Sequence, residues 1–117
     1  MMRTLASLLF GLGILTLSSG AGAEPDKKIA RTWKAKCASC HGQDGKGDTE
    51  KGQKMGVRDY TTAKYQGAAK DDKMKEVIMN GLKEEKGGKK QEMDPYKDKL
   101  KPEEVDGLVQ LVRSFKK

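Results

Sequence analysis

The sequence predicts an all-α fold of three to four short helices joined by long, glycine-containing loops. Three observations predict it. Apolar residues recur at helical spacing in three segments, 26–37, 71–80 and 102 onward. No alternating run suggests a strand or hairpin, and no internal repeat is visible. The apolar inventory is also too thin for side chains alone to fill a core.

The first stretch reads as a leader rather than as part of the fold. Met1 to Ala23 carries one positive charge at Arg3, an apolar run from Leu5 to Leu17 and the exit Ala21-Gly22-Ala23. These are the three parts of a secretory signal peptide. The run is shorter than the roughly 20 apolar residues of a membrane-spanning helix. The expectation is a cleaved signal at 1–23, one domain at 24–117, a periplasmic location of bacterial type and no transmembrane span in the mature form.

The helices follow in order. Pro25 suits a first helical position and Asp26 the positive end of the dipole. Ile29, Trp33 and Cys37 then fall at i, i+4 and i+8, on one face with Ala30. Residues 43–56 contain Gly45, Gly47, Gly52 and Gly56 among polar neighbours and read as loop. Residues 57–64 are too short and mixed to assign. Asp71 begins a second helix that places Met74, Val77 and Ile78 together and stops at Gly81. Residues 84–92 are charged and broken by Gly87-Gly88, hence loop. The last helix starts at Pro102, takes Glu103 and Glu104 in its first turn, and buries Val105, Leu108, Val112 and Phe115, with Leu111 at the edge.

Past residue 23, 94 residues remain, with 17 acids and 23 bases, a net charge of +6. Only 28 of the 94 are hydrophobic, and leucine, isoleucine, valine and phenylalanine together number 12. Such a chain is either largely disordered or built around a large apolar ligand. Loops this long in a small domain favour the second choice.

Cys37-Ala38-Ser39-Cys40-His41 names that ligand. A disulfide across two intervening residues would remove little unfolded-state entropy. Zinc needs four ligands, and the chain offers two thiols and its single histidine. A thioredoxin-like dithiol needs a preceding strand in a βαβ setting, whereas a helix precedes this one. C-x-x-C-H is the attachment signature of c-type haem. Two thiols at this spacing reach two vinyl groups on one haem edge, and His41 offers an axial nitrogen to the iron.

With no second histidine, the sixth ligand falls to a methionine. Met74 sits on the apolar side of its helix and Met79 points elsewhere. Met55 is only 14 residues past His41, close for a segment that must cross to the opposite haem face. Met93 follows a long loop and precedes Asp94-Pro95-Tyr96, where proline stiffens the chain. Met93 is the first choice and Met55 the second; an open five-coordinate iron is the remaining alternative.

These residues resemble the class I c-type cytochromes over nearly all of 26–117. The resemblance rests on Trp33 four before the first cysteine, on Cys-Ala-Ser-Cys-His-Gly-Gln-Asp-Gly-Lys-Gly, on a late Met and Pro, and on the terminal amphipathic helix. It implies a small cytochrome c-like fold wrapped around one covalent haem, with first and last helices crossing. It places Cys37, Cys40 and His41 at the attachment site and Met93 as the distal ligand. Three departures stand out. Asp94 separates Met from Pro. Ile29 stands where many members have the glycine of the helix crossing, so either the crossing is wider or Gly107 supplies the clearance. No proline lies between His41 and Pro95, so a backbone carbonyl near Gly56-Val57 is the candidate to orient His41.

A haem with both axial positions filled and no free histidine suits electron transfer, not enzymatic bond-making. The alternatives are a peroxide-active haem protein with a labile sixth ligand, and a ligand sensor or small haem subunit of a larger complex. The expected partners are redox proteins with acidic docking faces, steered by Lys36, Lys46, Lys89, Lys90 and Lys97 in a salt-sensitive way. Nucleic acid is excluded by export and by acids interspersed among the lysines, and a monomer is expected.

The composition generates the first prediction. Cys37→Ala/Cys40→Ala protein, which cannot attach haem, is substantially unfolded at room temperature. Circular dichroism checks this: a helical signal equal to that of the haem-loaded protein would refute it.

Overall fold

The computed structural model describes Gly11, Gly13 and residues 26–117. The signal-peptide assignment therefore lies outside the described residues. Among the latter are six helices and one hairpin, in the order α1 (Lys27–Lys36), α2 (Ala38–His41), α3 (Glu50–Met55), α4 (Ala63–Ala68), α5 (Asp71–Asn80), β1 (Leu82–Lys86), β2 (Lys89–Met93) and α6 (Pro102–Ser114). No described helix is long and apolar enough to cross a membrane.

The three helices expected from periodicity are present. The Asp26 carboxylate caps α1 by accepting from Lys28 N at 3.0 Å. Ile29 and Trp33 are buried, but Ala30, placed on the same face by spacing, is exposed. Helix α6 begins with the Glu104 carboxylate accepting from Lys101 N at 3.2 Å. It buries Val105, Leu108, Val109, Leu111 and Val112. Leu111 is thus core rather than edge, Phe115 is only half-buried, and Val109, not foreseen, is wholly buried. A buried stripe of five residues in two turns is wider than the a/d spacing alone suggests.

Helices α1 and α6 pack together, with Ile29, Trp33, Cys37, Leu108, Leu111 and Val112 in one cluster. Gly107 gives the clearance at this crossing. A Cβ there would stand 2.8 Å from both Cγ1 and Cδ1 of Ile29.

One stretch expected as loop and one left unassigned contain helices. Helix α3 forms because Thr49 Oγ1 accepts from Gly52 N at 2.9 Å while donating to the Cys40 carbonyl at 2.9 Å. Gly52, costly in a helix interior, fits because a Cβ there would collide with the Cys40 carbonyl. Helix α4 occupies the end of the unassigned stretch, with the Thr62 hydroxyl accepting from Tyr65 N at 3.1 Å.

The expectation of no strand or hairpin is overturned. Strands β1 and β2 pair antiparallel, with Leu82 opposite Met93 and Lys86 opposite Lys89. Gly87 and Gly88 form the two-residue turn with φ of 59° and 76°, the doubly positive geometry that hairpins favour. Lys83 faces Glu92 and Glu85 faces Lys90, so opposite charges stabilise a ladder that lacks apolar alternation.

Gly107→Ala should lower stability by about 1–3 kcal/mol, the overpacking range, despite alanine's better helix propensity. Adding Ile29→Ala should cost less than the sum of the single changes. Thermal unfolding of the four proteins checks this; strict additivity would refute the close contact.

Candidate haem site

The attachment pentapeptide is Cys37, which ends α1, followed by the single turn of α2. Cys37 N donates to the Trp33 carbonyl at 2.9 Å, closing α1, and His41 N donates to the Cys37 carbonyl at 3.0 Å. The Trp33 indole donates to the Gly42 carbonyl at 2.9 Å, tying the helix to the end of the motif. Gly47 N caps the His41 carbonyl at 2.8 Å. A Cβ on Gly47 (φ +67°) would meet the Val57 carbonyl at 2.9 Å, so only glycine lets these two loops touch.

Cys37 and Cys40 are free thiols, Cys37 buried and Cys40 half-buried. Burial pushes the Cys37 thiol up to about 11, so it stays protonated. Burial also lowers His41 to about 4, which keeps the imidazole neutral, the form that binds a metal. Its Nδ1 is buried with no hydrogen-bond partner among the described residues. The carbonyl expected near Gly56-Val57 does not accept from it. Rings hold it instead: Tyr60 stacks on it at 5.1 Å and Trp33 lies tilted at 5.7 Å.

Two adjoining cavities open in front of this motif, of about 360 Å³ and 140 Å³. The larger falls within the roughly 300–1,000 Å³ of cofactor sites. Cys37, His41, Tyr60, Tyr65, Val77, Met93 and Tyr96 border both, so the two are halves of one slot. Trp33, Val77, Ile78, Leu100, Leu108 and Val112 all line the smaller half. Helix α5 buries none of its residues fully, although Met74, Val77 and Ile78 form an apolar face. That face looks into the slot. An apolar slot, two free thiols and a neutral imidazole with an unpaired nitrogen fit a haem.

The structure brings Cys37, Cys40, His41 and Met93 to the larger half. Met55 borders only that half, Met74 only the smaller, and Met79 neither. Of the lysines expected at the haem edge only Lys36 lines the slot, joined by Lys51 and Arg58, which the sequence reading did not single out. Tyr60, Tyr65, Gln91 and Tyr96 were missed as well. Each stands alone in the sequence, with no spacing to mark it.

The cytochrome c family profile matches residues 27–116. Among solved structures the chain is similar to a c-type cytochrome described as KustC0563, at 36% identity and a TM-score of 0.63, over 75% of this chain and 96% of that one. It is also similar to a tyrosine-to-phenylalanine mutant of Kustc0563, at 35% identity and a TM-score of 0.62, over 75% of this chain and 98% of that one. No curated protein sequence matches it. A chain with this motif, slot and profile belongs to the cytochrome c family, whose covalently attached c-type haem and haem-based electron-transfer role it shares.

Proposed function

We propose that the protein is an exported, periplasmic one-electron carrier and not an enzyme. In this reading Cys37 and Cys40 form the thioether bonds, and His41 and Met93 are the axial ligands. The observation that carries it is the bordering of the slot. Of the histidine and methionines among the described residues, only His41 and Met93 border both halves, so these two would hold an iron seated at the middle of the slot. The N-terminal stretch 1–23 supports export.

The bound haem supplies a one-electron couple, its iron passing between ferric and ferrous states. The protein holds that couple in place. Cys37 and Cys40, both free thiols, would hold the group by thioether bonds to its vinyl carbons. His41 is presented neutral by burial and oriented by Tyr60 and Trp33. Met93 arrives from the end of β2, where its thioether favours the reduced iron. Both axial positions are then filled and no second histidine exists to move a substrate proton, which supports a carrier over a peroxide-active protein. Exposed Lys36, Lys51 and Arg58 at the larger half present positive charge to an acidic redox partner.

Two outcomes are expected. The haem should survive denaturation and acid–acetone extraction, with intact mass showing one haem per chain; colour that extracts cleanly refutes the thioethers. Met93→Ala should abolish the iron–sulfur absorption band and lower the potential, while Met55→Ala, Met74→Ala and Met79→Ala keep the band. Loss of the band in Met55→Ala alone would move the ligand to Met55.

A further inference from the structure

Strand β2 presents Lys89, Gln91 and Met93 on one face, since alternate residues of a strand point the same way. Two of the three clasp the end of α3. Lys89 Nζ donates to the Gln53 carbonyl at 2.9 Å, and Gln91 Nε2 donates to the Gly56 carbonyl at 3.2 Å. These carbonyls belong to a helix end, where the last acceptors lack partners within the helix. Gly56 is its left-handed cap, and a Cβ there would crowd the Lys89 side chain at 3.1 Å. The third residue of the face, Met93, borders the slot.

The segment is fastened again just beyond Met93. The Tyr96 hydroxyl donates to the Lys36 carbonyl at 3.2 Å, one residue before Cys37. Tyr96 N and Lys97 N donate to the Ile78 and Met79 carbonyls at 3.0 and 3.1 Å, which secures the backbone to α5. Gln91 and Tyr96 thus differ from their neighbours. Each borders the slot and reaches from the Met93 side to the His41 side, Gln91 beside the Lys89 contact to α3 and Tyr96 alone to the Lys36 carbonyl.

We propose that Gln91 and Tyr96 are positioning residues that bolt the Met93 strap to α3 and to the end of α1, and so set how often the sixth iron position opens. The proposal rests on Met93 being the distal ligand. An external ligand binds only after Met93 leaves, so its apparent affinity scales with the open fraction. Each bolt is lost in the open state. Removing one bolt therefore raises the open fraction by about fivefold, the worth of one ordinary net hydrogen bond.

The test is titration of the ferric haem-loaded protein with imidazole, followed by visible spectroscopy. Gln91→Glu keeps the side-chain length but leaves an acceptor facing a carbonyl. Tyr96→Phe removes only the hydroxyl. Each should raise apparent imidazole affinity about fivefold, and the double variant by about the product. Lys64→Gln, exposed on α4 and bordering neither half of the slot, should leave it unchanged. So should Gly107→Ala, which loosens the fold at the distant helix crossing. Wild-type affinity in both Gln91→Glu and Tyr96→Phe overturns the proposal. An equal rise in Gly107→Ala also overturns it, because opening would then report general loosening. Met93→Ala in the same series separates the two readings: if it keeps the iron–sulfur band, the ligand assignment falls and the bolts with it. If it loses the band while the bolt variants bind imidazole normally, only the bolts fall.

Discussion

The controlling constraint is that this chain cannot close its own core. Most of its buried apolar side chains among the described residues form one seam where α1 and the start of α2 meet α6, and beside that seam lies a slot. Helix α5 shows the consequence most plainly. It has an apolar face, yet none of its ten residues is fully buried: Met74 and Ile78 touch the core cluster on one side, and the face borders the slot on the other. A helix this poorly covered gains little from packing and is marginal on propensity alone. A flat apolar body in the slot covers α5, the inner side of α6 and the Tyr60–Tyr65 pair at once. The long loops are then the shortest routes around that body.

Attachment and ligation divide the labour between two ends of the chain. The pentapeptide is local, so its geometry follows from a few neighbouring hydrogen bonds and from the burial of Trp33 and Cys37. The distal side is remote: 51 residues separate His41 from Met93. Closing that loop costs entropy. The intervening elements reduce the cost by making the path nearly rigid. Arg113 on α6 contributes to this, donating to the Gln66 and Ala69 carbonyls at 2.7 Å each and pairing with Asp71 at 2.8 Å. Gln66, itself buried, passes the restraint on by donating to the Tyr60 carbonyl at 2.7 Å and the Val112 carbonyl at 2.9 Å. The ring that stacks on His41 is therefore anchored through α4 to the terminal helix.

Legibility in the sequence tracked how local and how apolar each signal was. The faces of α1, α5 and α6 were readable because burial forces apolar residues into helical spacing. The haem motif was readable because covalent chemistry fixes both residue types and spacing. Helix α3 was hidden by Gly52, whose missing Cβ serves the Cys40 carbonyl and not the helix. The hairpin was hidden because both its faces are largely exposed, so no apolar alternation exists to be read. Its one cue, Gly87-Gly88, is equally a cue for an ordinary loop. The orientation of His41 was misjudged for a related reason. Stacking by Tyr60 is a contact between rings 19 residues apart, and nothing in the spacing announces it.

The hairpin also accounts for the departure at Met93. A proline directly after the methionine would restrict the backbone at that position, since its ring fixes φ. Here Asp94 intervenes and leaves Pro95 one residue further on. The strand replaces that restraint, because Met93 ends β2 and pairs with Leu82 across the ladder. Gly81, with φ +76°, lets the chain pass so near the Met93 carbonyl that any Cβ would strike it. Thus the start of β1 and the end of β2 fix each other, and the turn from α5 into the hairpin sets the height of Met93 in the slot. A ladder of five residue pairs is weak alone. Its dependence on Lys89, Gln91 and Tyr96 for a seat follows from that weakness, and Met93, the distal ligand proposed above, is held on so light an element by its fastenings more than by the strand's own stiffness.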